Sequence, residues 1–136
     1  MTLATKLRQS IQYPRFTIDR AERAMRCSPF RLQLFATMMY QSVPLSAIAG
    51  SPGLQNQYTF RPLAELTAET ELLWLIQVGL LRREVDGQGL TDSFRVTPLG
   101  RQLAQRWQQF SETECYSPTR RDRFYNALNR WFRLKI

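Results

Sequence analysis

The chain has 136 residues, 43% hydrophobic and 12% aromatic, which suits one folded domain with a buried core rather than a disordered chain. Its formal net charge is +8, with no histidine and only two cysteines. Without the commonest general base and metal ligand, and with no CxxC pair, neither an enzyme nor a zinc site is expected.

Residues 2–12 place Leu3, Leu7 and Ile11 four apart, the pattern of a short amphipathic helix, and Tyr13-Pro14 ends it. The stretch has no apolar secretory core, so a cytoplasmic location is expected. Thr17 is a candidate N-cap for a second helix, Ile18 to about Cys27. Its Arg20, Arg23 and Arg26 recur every three residues and form a basic stripe. The stripe fits a phosphate backbone; it equally fits surface pairing with Asp19 and Glu22.

Ser28-Pro29 reads as N-cap and first helical residue, opening a helix from Phe30 to Tyr40 that is apolar nearly all round and therefore buried. Val43-Pro44-Leu45 precedes a candidate helix over 45–50. A second register places that helix at Arg61–Leu66, and the pattern leaves both open. Thr67 is a candidate cap for the next helix, with Glu69 and Glu71 in its first turn, where acids suit the helix dipole. The apolar run Leu72–Val78 then ends at Gly79, a residue able to adopt the positive φ of a helix stop.

Arg82-Arg83-Glu84-Val85 follows as a strand, Asp86-Gly87-Gln88-Gly89 as a turn, and Ser93–Thr97 as an alternating second strand. Thr97-Pro98 opens a helix over 98–110 whose Leu99, Leu103, Trp107 and Phe110 make one apolar stripe. The stripe can pack on the chain's own core or on a second subunit.

The run from Leu75 to Leu103, with its Gly79-Leu80 step and its Thr97-Pro98-Leu99-Gly100 step, resembles the second half of a winged helix–turn–helix domain of the MarR and PadR type. The resemblance covers residues 63–107 well and 28–62 loosely. It implies a mainly α fold with a small two-stranded β-wing: a winged-helix domain over 28–110. A basic helical extension would precede it over 1–27, and a linker with a basic amphipathic helix would follow over 111–136. About ten residues more than the family pattern separate the 45–50 motif from Gly79.

Ser117-Pro118-Thr119 marks the start of that last helix, in which Phe124, Tyr125, Leu128, Trp131 and Phe132 share one arc and Arg123, Asn126, Asn129, Arg130 and Arg133 the other. Leu103, Trp107, Phe124, Leu128, Trp131 and Phe132 are thus the candidates for dimerisation or docking. The charge collects at the ends. Residues 1–31 hold seven cations against two acids and 115–136 six against one, while 32–114 hold six against eight. An anionic partner is expected, DNA first, with an acidic protein or an anionic membrane surface as the alternatives.

As a DNA-binding regulator, the chain would place Arg82, Arg83, Arg95, Arg20 and Arg23 on phosphates. Thr70, Glu71 and Gln77 would face bases. Against this stand two glutamates and no cation in the reading helix, and a wing tip without arginine; both favour a module that binds protein or membrane instead. No cofactor is expected. Cys27 and Cys115 read as buried thiols or as a redox pair.

Overall fold

A computed structural model describes residues 13–110, 124 and 126–130. In chain order the elements are α1 (Arg15–Cys27), α2 (Leu32–Met38), β1 (Val43–Pro44), α3 (Leu45–Ile48), α4 (Gly50–Gln55), α5 (Glu65–Gln77), β2 (Leu81–Asp86), β3 (Gly89–Val96) and α6 (Pro98–Phe110). Residues 126–130 are helical as well. The protein is mainly α-helical with one small antiparallel sheet, ordered β1-β3-β2. The helix expected over 2–12 and the Ser117-Pro118-Thr119 start lie outside the described residues. No helix among those described is long and apolar enough to cross a membrane.

The sheet has three strands where two were expected. Val43 pairs with Phe94, and Pro44 with Ser93, so β1 closes the free edge of β3. A two-residue strand containing proline has no alternation to read, and proline is tolerated there because β1 is an edge. Along the other edge of β3, β2 runs from Leu81↔Val96 to Asp86↔Gly89, with a register shift between Arg83 and Val85. The turn is fixed by Asp86, whose Oδ1 accepts from the Gln88 amide at 2.7 Å.

Three expected caps do not serve as such. The first helix begins at Arg15 after Pro14, which leaves Thr17 inside α1. Ser28 ends α1 instead of starting α2: its hydroxyl donates to the Met25 carbonyl at 2.8 Å. The chain then runs extended through Phe30, which bridges to Thr59, and α2 begins only at Leu32. α5 begins two residues before Thr67, after Ala64, which supplies no side-chain cap.

Of the two registers for the second helix, the one at 45–50 holds, broken in two: α3 ends at Ile48, Ala49 is extended, and α4 restarts at Gly50 with φ +65°. Residues 61–64 are not helical, and the next helix starts only at Glu65, so no helix spans Arg61–Leu66. The extra residues are accommodated by α4 and the loop after it, which Tyr58 closes by donating its amide to the Gly53 carbonyl at 2.8 Å.

At the base of the hairpin, Gly79 takes φ +90° and turns the chain from α5 into β2. The Thr97 hydroxyl donates to the carbonyls of Gly79 and Leu80 and accepts from the Gly100 amide at 3.1 Å. One side chain therefore caps α6 and ties it to the end of α5. Below this joint lies the core, with Met25, Phe30, Phe35, Met38, Leu72 and Phe94 all fully buried. α1 contributes Ala21, Ala24 and Met25 to that same core.

Candidate interaction surface on α5 and the hairpin

The three hairpin arginines are all met by acids. Arg82 Nη1 lies 2.9 Å from Glu84, and Arg95 Nη1 approaches the other oxygen of the same carboxylate at 3.6 Å. Arg83 lies 3.5 Å from Asp92 and 3.9 Å from Glu69 of α5, and its guanidinium sits 5.1 Å from the centre of the Phe94 ring. It also donates to the Thr91 carbonyl at 3.2 Å. Three cations against three acids leave this patch with no net charge to attract a phosphate backbone. Surface pairs of this kind contribute little stability, but they set the local field.

On α1 the expected basic stripe is likewise dispersed. Arg20 lies over the Phe16 ring at 5.6 Å, and Arg23 Nε donates to the Asp19 carbonyl at 3.2 Å. Arg26 pairs with Glu22 at 3.5 Å, and Arg106 of α6 reaches the same glutamate at 3.2 Å. Glu22 thus draws two arginines together and ties α1 to α6.

Within α5, Leu66, Thr70, Leu73 and Gln77 are exposed and fall at spacings of four, three and four, one continuous helix face. Leu66 is 76% exposed, the largest value for an apolar residue on this helix. Thr70 donates its hydroxyl to the Leu66 carbonyl at 2.8 Å. Thr70 and Gln77, expected to face bases, are therefore on the outer face, but their neighbours are leucines. Glu71 is turned away from it: Arg130 Nη1 lies 3.3 Å from both of its carboxylate oxygens.

Residues 126–130 meet α5 through their polar side. Asn126 Oδ1 accepts from the Trp74 indole N–H at 3.0 Å, and Arg130 lies 5.5 Å from the centre of the Trp74 ring while holding Glu71. Asn126 and Arg130 are one turn apart, so a single helix face makes both contacts. Of the apolar arc, expected to dock, dimerise or meet a partner, Phe124 is 63% exposed and Leu128 is half-buried. Trp131 and Phe132 lie outside the described residues. Sequence reading missed this contact. An Asn and an Arg four residues apart was its only local trace, and the partners lie more than fifty positions away.

Of the other docking candidates, Leu103 is buried in the chain's own core. Trp107 is half-buried, its ring 5.8 Å from that of Phe35. The α6 stripe thus packs inward on α2. Cys27 is half-buried at the end of α1, and Cys115 lies outside the described residues.

No curated protein and no solved structure matches the chain. The sequence model of one family, described as Npun_F0494-like, matches residues 11–130, and the chain belongs to that family.

Proposed function

We propose that the protein is a winged-helix interaction module that binds another protein through the outer face of α5, and does not read duplex sequence. The element order supports the winged-helix reading: α2, β1, the α3–α4 pair, α5 and then the β2–β3 hairpin, with β1 joining that hairpin in one sheet. In this reading, which the resemblance to MarR- and PadR-type domains also implies, α5 is the recognition helix.

One observation carries the choice of partner. The exposed face of α5 presents Leu66 and Leu73 and contains no cation, with Glu65 exposed beside Leu66, while the hairpin arginines next to it are neutralised by Glu84, Asp92 and Glu69. An apolar strip without a cation suits a protein groove or helix, whereas a polyanion needs uncompensated positive charge. DNA binding is the second reading, favoured by the net charge of +8 and its concentration at the two ends.

A photo-crosslinking residue at position 73 in cells separates the two. The expected result is a discrete protein adduct that disappears when Leu66 is replaced by glutamate, and no adduct from the same residue placed at Gln33 on α2. In parallel, the purified chain should bind labelled duplex DNA only weakly. That binding should show no preference among genomic fragments and fall steeply with salt, as expected of a merely basic surface. Enrichment of particular fragments that is lost in Thr70→Ala or Gln77→Ala would overturn the protein-binding reading in favour of DNA.

A further inference from the structure

A cavity of about 390 Å³ opens between the end of α1, the chain at 60–63, α5 and the helical residues 126–130. Its size falls within the range of small-molecule sites. Pro29, Phe60 and Leu63 supply an apolar wall, and Arg61, Thr67 and Cys27 supply the polar atoms. A backbone bridge holds the walls: Phe30 pairs antiparallel with Thr59, through the Arg31 amide donating to the Tyr58 carbonyl at 2.8 Å. The segments that carry Pro29 and Phe60 are therefore fixed against each other before any ligand arrives.

The charge around this cavity is uneven. Arg130 also lines it, but Glu71 already occupies that guanidinium. Arg31, which is not part of the lining, stands 5.4 Å from the centre of the Phe60 ring. Among the described residues, Arg61 is exposed and engages no carboxylate. The lining thus holds two arginines, Arg61 and Arg130, against one carboxylate, Glu71, and the positive charge left over, on Arg61, shares the cavity with an aromatic ring and a hydroxyl. This contrasts with the hairpin, where cations and acids balance.

We infer that this cavity binds a small organic anion, a carboxylate or phosphate monoester carried on an apolar body. The anionic group pairs with Arg61, whose planar fork suits two oxygens, and accepts from the Thr67 hydroxyl. The apolar body lies on Phe60, Leu63 and Pro29. Because Arg130 lines the same space, a bound anion also competes with Glu71 for it, and occupancy of the cavity loosens residues 126–130 from α5. The site stands independently of the protein-binding reading of α5.

Saturation-transfer NMR on the full chain tests this with four probes: benzoate, phenyl phosphate, their uncharged analogue benzamide, and inorganic phosphate. Saturable transfer to benzoate or phenyl phosphate is expected, and whichever of the two binds more tightly identifies the anionic group. Benzamide should bind about tenfold more weakly, the loss of one charge-assisted contact. Inorganic phosphate should not displace the organic probe at equal concentration.

Arg61→Glu should abolish transfer, Arg61→Gln should weaken it, and Arg15→Glu should leave it unchanged. Arg15→Glu makes the same charge change about 18 Å along α1 from Cys27. Absence of transfer to both organic anions overturns the inference. So does equal binding of benzamide, equal binding of inorganic phosphate, or equal loss in the Arg15 variant.

Discussion

Replacing Phe94 by alanine should lower the unfolding free energy by about 3–5 kcal/mol, the usual cost of emptying a large aromatic site in a packed core. Phe94 is fully buried in β3 at the point where all three strands meet: Val43 is its neighbour on one side and Arg83 on the other. Its loss removes the packing between the sheet and the helices, and also the ring beneath the Arg83 guanidinium. Against a total stability of about 5–15 kcal/mol, this is a large share. Urea unfolding should show a lower midpoint at unchanged slope. Leu90→Ala on the same strand, where the side chain is 74% exposed, should change stability by no more than about 0.5 kcal/mol. Equal effects at the two positions would mean that β3 does not face the core as described.

The second large effect has a sign opposite to helix propensity. Gly100 is the third residue of α6, where alanine would ordinarily stabilise a helix by about 1 kcal/mol. Here an added Cβ would lie 2.2 Å from the Leu80 carbonyl oxygen and 3.2 Å from Val96 Cβ. The first contact is with backbone, which cannot swing aside. Gly100→Ala should therefore destabilise the protein by about 2–3 kcal/mol, the scale of overpacking. A fall in Tm of about 10 °C is the expected reading. Gly87→Ala, where nothing lies within 4 Å of the added carbon, should leave Tm nearly unchanged or raise it slightly. A Gly100→Ala protein with unaltered Tm would show that α6 does not press on the start of β2.

Local signals and distant ones fared differently in the sequence. Gly79 and Thr97-Pro98 were legible because their reasons are local: a positive φ after α5, and a hydroxyl three residues before the amide it caps. Ser28-Pro29 carries the same N-cap-and-proline signature as Thr97-Pro98 but has the opposite outcome. Ser28 spends its hydroxyl on the carbonyl behind it, and the chain ahead leaves the helix to bridge Thr59 through Phe30, some thirty positions away. No window centred on Ser28 contains that partner.

The break between α3 and α4 was half visible, since Gly50 and Pro52 mark an interruption without saying that a helix resumes. For the interaction surface, composition identified the charges but not their pairing. Arg83 and Glu69 are on different elements, as are Arg130 and Glu71, and only the fold brings each pair within 4 Å. The acids in α5 were readable as unsuited to DNA. That the neighbouring arginines are also spent was not, because strand alternation says which face a residue takes and nothing of its neighbours.

The joint at Thr97 has a practical corollary. Because the hydroxyl of Thr97, the Leu81↔Val96 pair and the pairing of β1 with Ser93 and Phe94 seal the base of the hairpin, the stretch from Glu84 to Asp92 is an excursion that departs from and returns to one fixed place. Lengthening it costs only the entropy of a longer loop, about 0.6 kcal/mol for each doubling. The tip at Gly87-Gln88 is accordingly a place where an epitope, a dye-labelling peptide or a small guest domain can be spliced in without rewriting the rest of the protein.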